Sequence, residues 1–376
     1  MNSSFLKIAA LSALFASSAS AATYTINLTG STAFRSSAHA AIIANLTSPT
    51  YAYTDVAAKG LNKAKYVIFK GSVGADSYII RCSWSGSVEG IVDTGHQNTI
   101  AALPTSQATT ADPGTALVNA SEATFATSTM VPDGGLSDVF QSSTSETATL
   151  SDKIVAVVPF KFIASNGTTF TNMTPQIFRT VYGPGGSPAS VITGNPADTG
   201  FVIGVGRDIG SGTRATAMAE TGYGIFNAPQ QFKITTTNAT WSAGDAVSQS
   251  GTSGYLAGSD LANDLAKASS DGTIAIGYVG VSDFIVGSNV ELTYNGVAYS
   301  PAAVYNGTYT FWGYEHLVTP TRVSTSTTGN DFAAKTFFAN MASSLASNPG
   351  GAGLNPALMN VHRDGDGATV LSGALP

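Results

Sequence analysis

Apolar and polar residues alternate in short bursts along this chain, and several bursts run into a turn of small residues and then a helical spacing. Tyr24 to Leu28 alternates as a strand, opens into Thr29-Gly30-Ser31-Thr32-Ala33-Phe34, and gives way to a helical pattern over Arg35 to Leu46. Lys65 to Lys70 and Tyr78 to Cys82 read as two further strands, joined as a hairpin through Gly71 and Gly74. Ser83 to Ile91 is again a turn feeding a short helix. From about Asp93 to Asp133 the periodicity is weak and Thr, Ala and Pro dominate, which predicts a surface excursion. The core resumes at Gly135 to Phe140. Lys153 to Ile163 is the most apolar β-branched run and predicts a buried strand leading toward a second lobe.

The second half repeats the theme. Met173 to Tyr182 predicts a short helix, and Phe201 to Val205 a strand that delivers a glycine-rich loop at Arg207. Leu261 to Ala268 reads as a helix and Thr273 to Val279 as a strand. Two hairpin-like pieces follow, turning at Asn295-Gly296 and Asn306-Gly307. A long helix is expected over Asp331 to Ala346, with Phe332, Phe337, Phe338, Met341 and Leu345 as its core stripe. The chain is mixed α/β, and its strand-turn-helix units aim helix N–H groups at the carboxyl ends of strands.

Composition narrows the picture. Apolar residues make up 43% of the chain, enough for large cores, and charged residues only 11%, against about a quarter in ordinary globular chains. Only Cys82 is present, so no intrachain disulfide can form; it reads as a small buried hydrophobe. Net charge is −6 with 17 Lys and Arg in all, which excludes a nonspecific nucleic-acid surface. At the N-terminus Lys7 precedes an apolar run from Ile8 to Phe15, then small residues at Ala19 and Ala21. That pattern predicts a secretory signal over residues 1–21, too short for a transmembrane anchor and without a cysteine for lipid attachment. The expected location is therefore secreted, in a periplasm or at the cell surface. The four histidines lack metal-ligand spacing, and Asp364-Gly365-Asp366-Gly367 reads as a turn, so neither a metal nor a cofactor is expected. No nucleophile-elbow pattern with an arranged His and Asp is visible.

The most concentrated chemistry is Arg207-Asp208-Ile209-Gly210-Ser211-Gly212-Thr213-Arg214. Glycines let the backbone turn its N–H groups toward one point, the helix expected from Thr213 adds a dipole, and a guanidinium adds charge-assisted bonds. Together with Thr29-Gly-Ser-Thr-Ala-Phe34, Ser85-Gly-Ser-Val-Glu-Gly-Ile91, Leu136-Ser-Asp-Val139, Ile154-Val-Ala-Val-Val-Pro159, Gly272-Thr-Ile-Ala-Ile-Gly-Tyr-Val279 and Phe311-Trp-Gly-Tyr-Glu-His316, it resembles the PstS-like phosphate-binding proteins of ABC transporters, in the type 2 periplasmic binding superfamily. The resemblance covers roughly residues 24 to 346.

It implies a two-lobed α/β fold with a mixed sheet in each lobe and an anion cleft between them. Residues 22–157 and 315–376 would form lobe 1 and 158–314 lobe 2. The implied partners are inorganic phosphate and an ABC transporter permease, the implied state is a monomer, and the implied activity is ion transport without catalysis. Carried over by position, the ligand groups would come from Ser31, Thr32, Ser87, Ser137, Asp138, Arg207, Ser211, Gly212 and Thr213, with Ser85 the alternative to Ser87. Asp138 would accept the proton of a protonated phosphate and reject ionised sulfate.

Departures are visible too. The family's usual aspartate two residues after the motif arginine is replaced by Ile209. Asp208 is expected to turn outward, with another acidic group, if any, steadying Arg207. Arg35 and Arg214 bring more positive charge near the turns. Asp138 as a simple helix cap and Arg207 as a surface ion-pair residue remain alternatives, as do an extracellular structural role and a phosphoester-acting enzyme. The 93–133 and 285–310 stretches have no counterpart in compact transport proteins.

Overall fold

The structure, a computed structural model, describes residues 21–119 and 121–375. All but the last residue of the expected signal segment lies outside the described residues. Two α/β lobes, each with a mixed sheet, share one path of hydrogen-bonded strands, so the expected fold class is the one observed. Lobe 1 is centred on Thr23–Gly30, which pairs in parallel with Asp76–Ser83 on one side and with Gly134–Ser137 on the other. All three strands end at the same side of the sheet, at Gly30, Ser83 and Ser137. Carboxyl ends of parallel strands are where open α/β sheets present their turns to a ligand.

The chain leaves lobe 1 along Leu150–Ala164, a strand of 15 residues that is buried from Val155 onward. Its first part pairs with the returning strand Trp312–Pro320, while Phe160 to Ala164 pairs with Ile274–Gly280 of lobe 2. Pro159 stands at the changeover, where a residue without an N–H costs the sheets little. In lobe 2, Phe201–Gly204 runs parallel to Ile274–Gly280 and delivers the Arg207 loop at its end. After the helix Gly329–Ser347 the tail touches both lobes. Leu354 bridges to Val157, Asp366 accepts from Phe140 N and Ser143 Oγ, and Arg363 pairs with Glu220 at 3.0 Å.

Several sequence expectations need correction. Thr47–Thr54 is a strand the pattern did not suggest, pairing with Tyr66–Val73. The 93–133 stretch is not purely a surface excursion. The helix Ser87–His96 occupies its start, Thr115–Leu117 joins the sheet beside Thr47–Thr54, and Leu103 is fully buried. The Asn295-Gly296 turn forms, with Tyr294 bridged to Val297. Asn306-Gly307 instead ends the helix Pro301–Tyr305, where positive φ at Gly307 closes a C-terminal turn rather than a hairpin. The helix expected at Leu261 to Ala268 starts earlier, at Gly258–Leu265.

In the long helix, Phe337, Phe338, Met341 and Leu345 are buried, whereas Phe332 is 44% exposed and leaves the stripe. Phe338→Ala should therefore cost about 3–5 kcal/mol of stability and Phe332→Ala less than about 1 kcal/mol, by chemical denaturation of the two variants.

Candidate functional site

Three turns of lobe 1 meet because their backbones touch. A Cβ on Gly30 would lie 2.0 Å from Leu136 O, so only glycine allows the first strand to approach the third this closely. Ser31 N donates to Leu136 O at 2.8 Å, and Gly86 N donates to Gly30 O at 2.9 Å. These bonds fix Ser31 and Thr32, the start of the helix Ser87–His96, and Ser137-Asp138 around one point. Ser31, Thr32, Ser87 and Asp138 are all buried.

Lobe 2 meets them with the helix Gly212–Glu220. Ser211 caps it by accepting from Arg214 N at 3.3 Å, leaving the first amides without an intrahelical partner. A Cβ on Gly212 would sit 1.6 Å from Asp138 Oδ1 and 2.6 Å from Ser87 Cβ. Gly212 is thus the one residue type that lets this helix end rest against both lobe 1 groups. Gly86 makes a second approach, where a Cβ would lie 2.4 Å from Gly210 O, and Val88 N donates to that same oxygen at 3.0 Å across the cleft.

Arg207 is 1% exposed, which removes the surface ion-pair reading. Its Nε donates to Tyr255 O at 3.0 Å and its Nη2 to Leu256 O at 2.9 Å; Nη2 also reaches Thr32 Oγ1 at 3.1 Å, and Nη1 reaches Thr213 Oγ1 at 3.4 Å. Backbone carbonyls therefore orient the guanidinium, and no carboxylate pairs with it. Asp208 makes no ion pair with it, yet it does not turn fully outward either: its Oδ1 is buried and unpartnered. Asp283 stands farther off, across Gly258, where a Cβ would be 2.5 Å from Asp283 Oδ2 and 3.3 Å from Arg207 Nη1.

Asp138 caps no helix. The chain beyond it runs through Val139 to a short turn at Gln141–Ser143 whose cap position is Phe140. Its Oδ1 has no hydrogen-bond partner. Burial pushes its carboxyl up to about 6, opposed by the Ser87 hydroxyl and the Arg207 charge. Ser137 serves the turn instead of the cleft, its hydroxyl exchanging bonds with Val139.

One residue escaped the sequence reading. Glu315 is fully buried on the returning strand, two positions from Gly313, where a Cβ would meet Asp138 O at 2.6 Å. Neither of its carboxyl oxygens has a partner. Burial and the neighbouring Asp138 hold it protonated well above the usual range, with Ser31 opposing. Its signal was a lone acid in the otherwise uncharged run from Val304 to Pro320.

The arrangement joins hydroxyls, helix-end amides and a guanidinium with two buried carboxyls, of which burial raises Glu315 far more than Asp138. Hydroxyls, amide ends and a guanidinium can donate to an anion, and a carboxylate can accept from one. Among the described residues no group of three or more His, Cys, Asp or Glu could hold a metal ion, and no helix is long and apolar enough to cross a membrane. Cys82 is fully buried, and burial pushes its thiol up. His316 packs on Phe140 and pairs with Asp152 at 2.9 Å.

A raised carboxyl means that the folded protein holds the Asp138 proton more tightly than the unfolded chain does. Stability from this group is thus full below about pH 4 and lost as pH rises through about 6. Ligand-free Asp138→Asn should be more stable than the parent above pH 7, by up to about 3 kcal/mol, and the gap should close below pH 4. Urea titrations of both proteins across that range measure it; a gap independent of pH would refute it.

No family model and no curated protein matches the chain. Among solved structures it is similar to a Clostridium perfringens protein assigned as a phosphate ABC transporter substrate-binding protein with bound phosphate, at 13% identity, 88% of this chain, 99% of that one and a TM-score of 0.47. An ABC-type phosphate transport receptor from Vibrio cholerae gives 13% identity, 86% and 98% coverage and a TM-score of 0.46. PstS from Borrelia burgdorferi gives 14%, 88% and 99%, and 0.39.

Proposed function

We propose that this chain is a PstS-like solute-binding protein that captures inorganic phosphate between its lobes, outside the cytoplasm, for uptake through an ABC transporter permease. The carrying observation is the unpartnered Asp138 Oδ1, on a carboxyl 1% exposed, set against the amide end of Gly212–Glu220 and within electrostatic reach of Arg207. An acceptor among donors suits an anion that still holds a proton, and it disfavours fully ionised sulfate. The ordered series of motifs supports the family, and the apolar run behind Lys7 supports export. Thr32, Ser87, Arg207, Gly212 and Thr213 bind the anion in this reading. Ser31 braces the first turn, its hydroxyl accepting from Phe34 N at 3.2 Å.

Calorimetry on protein refolded free of ligand tests the proposal. Phosphate should bind with micromolar or tighter affinity and raise the melting temperature; no heat and no shift at millimolar phosphate would end it. Arg207→Ala should weaken phosphate and sulfate alike, by about a hundredfold or more, because it removes charge and the Thr32 bridge together. Asp138→Asn should instead narrow the preference for phosphate over sulfate. An unchanged ratio would leave the aspartate a purely structural part.

A further inference from the structure

The Arg207–Thr32 contact is also the wall of a second space. Thr32 and Leu256, the two residues that accept from Arg207 Nη2, both line a cavity of about 250 Å³ between the lobes. Arg35, Lys59, Lys63 and Lys65 line it too, against two carboxylates, Glu122 and Asp260. In a chain with only 17 Lys and Arg, this is a dense gathering of positive charge.

Two of the four cations are neutralised across the cleft. Lys59 pairs with Asp260 at 2.5 Å, and Lys63 pairs with Asp283. The other two are not. Arg35 is 4% exposed, and its guanidinium donates from Nε to Asn62 O at 3.2 Å, while its terminal nitrogens have no protein partner among the described residues. Asp283, Asp260 and Glu122 offset its desolvation from a distance, while the charge of Arg207 adds to the cost. Lys65 is half-buried, its ammonium makes no hydrogen bond or ion pair among the described residues, and it lies 5.3 Å from the Tyr66 ring centroid. Asp208 lies within electrostatic reach of it. A buried guanidinium without a paired anion is costly, and the cavity in front of it has room for one.

We infer that this cavity is a second anion subsite, adjoining the cleft at Thr32, which takes the second phosphoryl group of a condensed phosphate. The inference rests on the proposed phosphate site, because the first phosphoryl group would sit there. Arg35 then meets the outer phosphoryl group with its free terminal nitrogens, and Lys65 adds charge from the rim. Lys59 and Lys63 hold the two lobes around the ligand through their acidic partners. The chemistry selects a chain of phosphoryl groups over a bulky organic ester, because the cavity wall supplies cations at the point where the ester's carbon would leave the cleft.

The test is calorimetry on ligand-free protein in magnesium-free buffer, with orthophosphate and pyrophosphate as separate titrants and Arg35→Met and Lys65→Met as variants. The parent should bind both anions. Each variant should lose about tenfold or more of its pyrophosphate affinity while its orthophosphate affinity changes by less than about threefold. Lys65→Met, at a half-buried position, keeps the test valid if Arg35→Met fails to fold. Binding of orthophosphate without pyrophosphate by the parent would overturn the inference and leave the phosphate site standing, and so would equal losses of both anions in the variants. Binding of neither anion by the parent would overturn both.

Discussion

Everything in this molecule hangs on two neighbouring strands, Leu150–Ala164 leaving lobe 1 and Trp312–Pro320 coming back. A sheet tolerates twist but not a broken ladder, so a strand that belongs to two sheets locks their relative placement. Leu150–Ala164 bonds to the returning strand along one stretch and to Ile274–Gly280 along the next. The turns at Ser31, Ser87 and Asp138 and the helix end at Gly212 face each other because of that sharing. Glycine makes the meeting close enough to matter, at Gly30 within lobe 1 and at Gly212 between the lobes.

Charge is handled with corresponding economy. A buried arginine needs acceptors, and Arg207 finds two in the carbonyls of Tyr255 and Leu256 instead of a carboxylate. Carbonyl dipoles orient the group without cancelling its charge, so more positive potential remains for an anion than an Arg–Asp pair would leave. On the opposite side Asp138 and Glu315 are both pushed toward the protonated form by burial. The Asp138 charge adds to the burial that raises Glu315, so the second carboxyl is the harder of the two to ionise.

Much of this was legible in the residues, for identifiable reasons. Strand-turn-helix units have strong local signatures, and those ending at Gly30, Ser83 and Gly204 all form where their patterns change period. Tertiary context decided the rest. Thr47–Thr54 hid because Pro49 and a positive φ at Ser48 disturb its alternation, and its pairing partners supply the order that its sequence does not. Asn306-Gly307 misled because a dipeptide that favours positive φ serves a hairpin and a helix end equally well. The carbonyls that hold Arg207 belong to a segment about fifty residues downstream and carry no side-chain signature at all. Glu315 was visible as an oddity, but an oddity in a strand becomes a site residue only when its neighbours are known.

The order in which the chain is made adds one more consequence. Gly134–Ser137, the strand that presents Asp138, has Thr23–Gly30 on one side and His316 to Val318 on the other. Asn330 exchanges hydrogen bonds with Thr25 across 305 positions of sequence. During synthesis, therefore, the first lobe waits with an open sheet edge until nearly the whole polypeptide has emerged. Its earliest residues are among the last to be enclosed, and a chain stopped anywhere before Val318 lacks a finished cleft and exposes a strand free to pair with a neighbour.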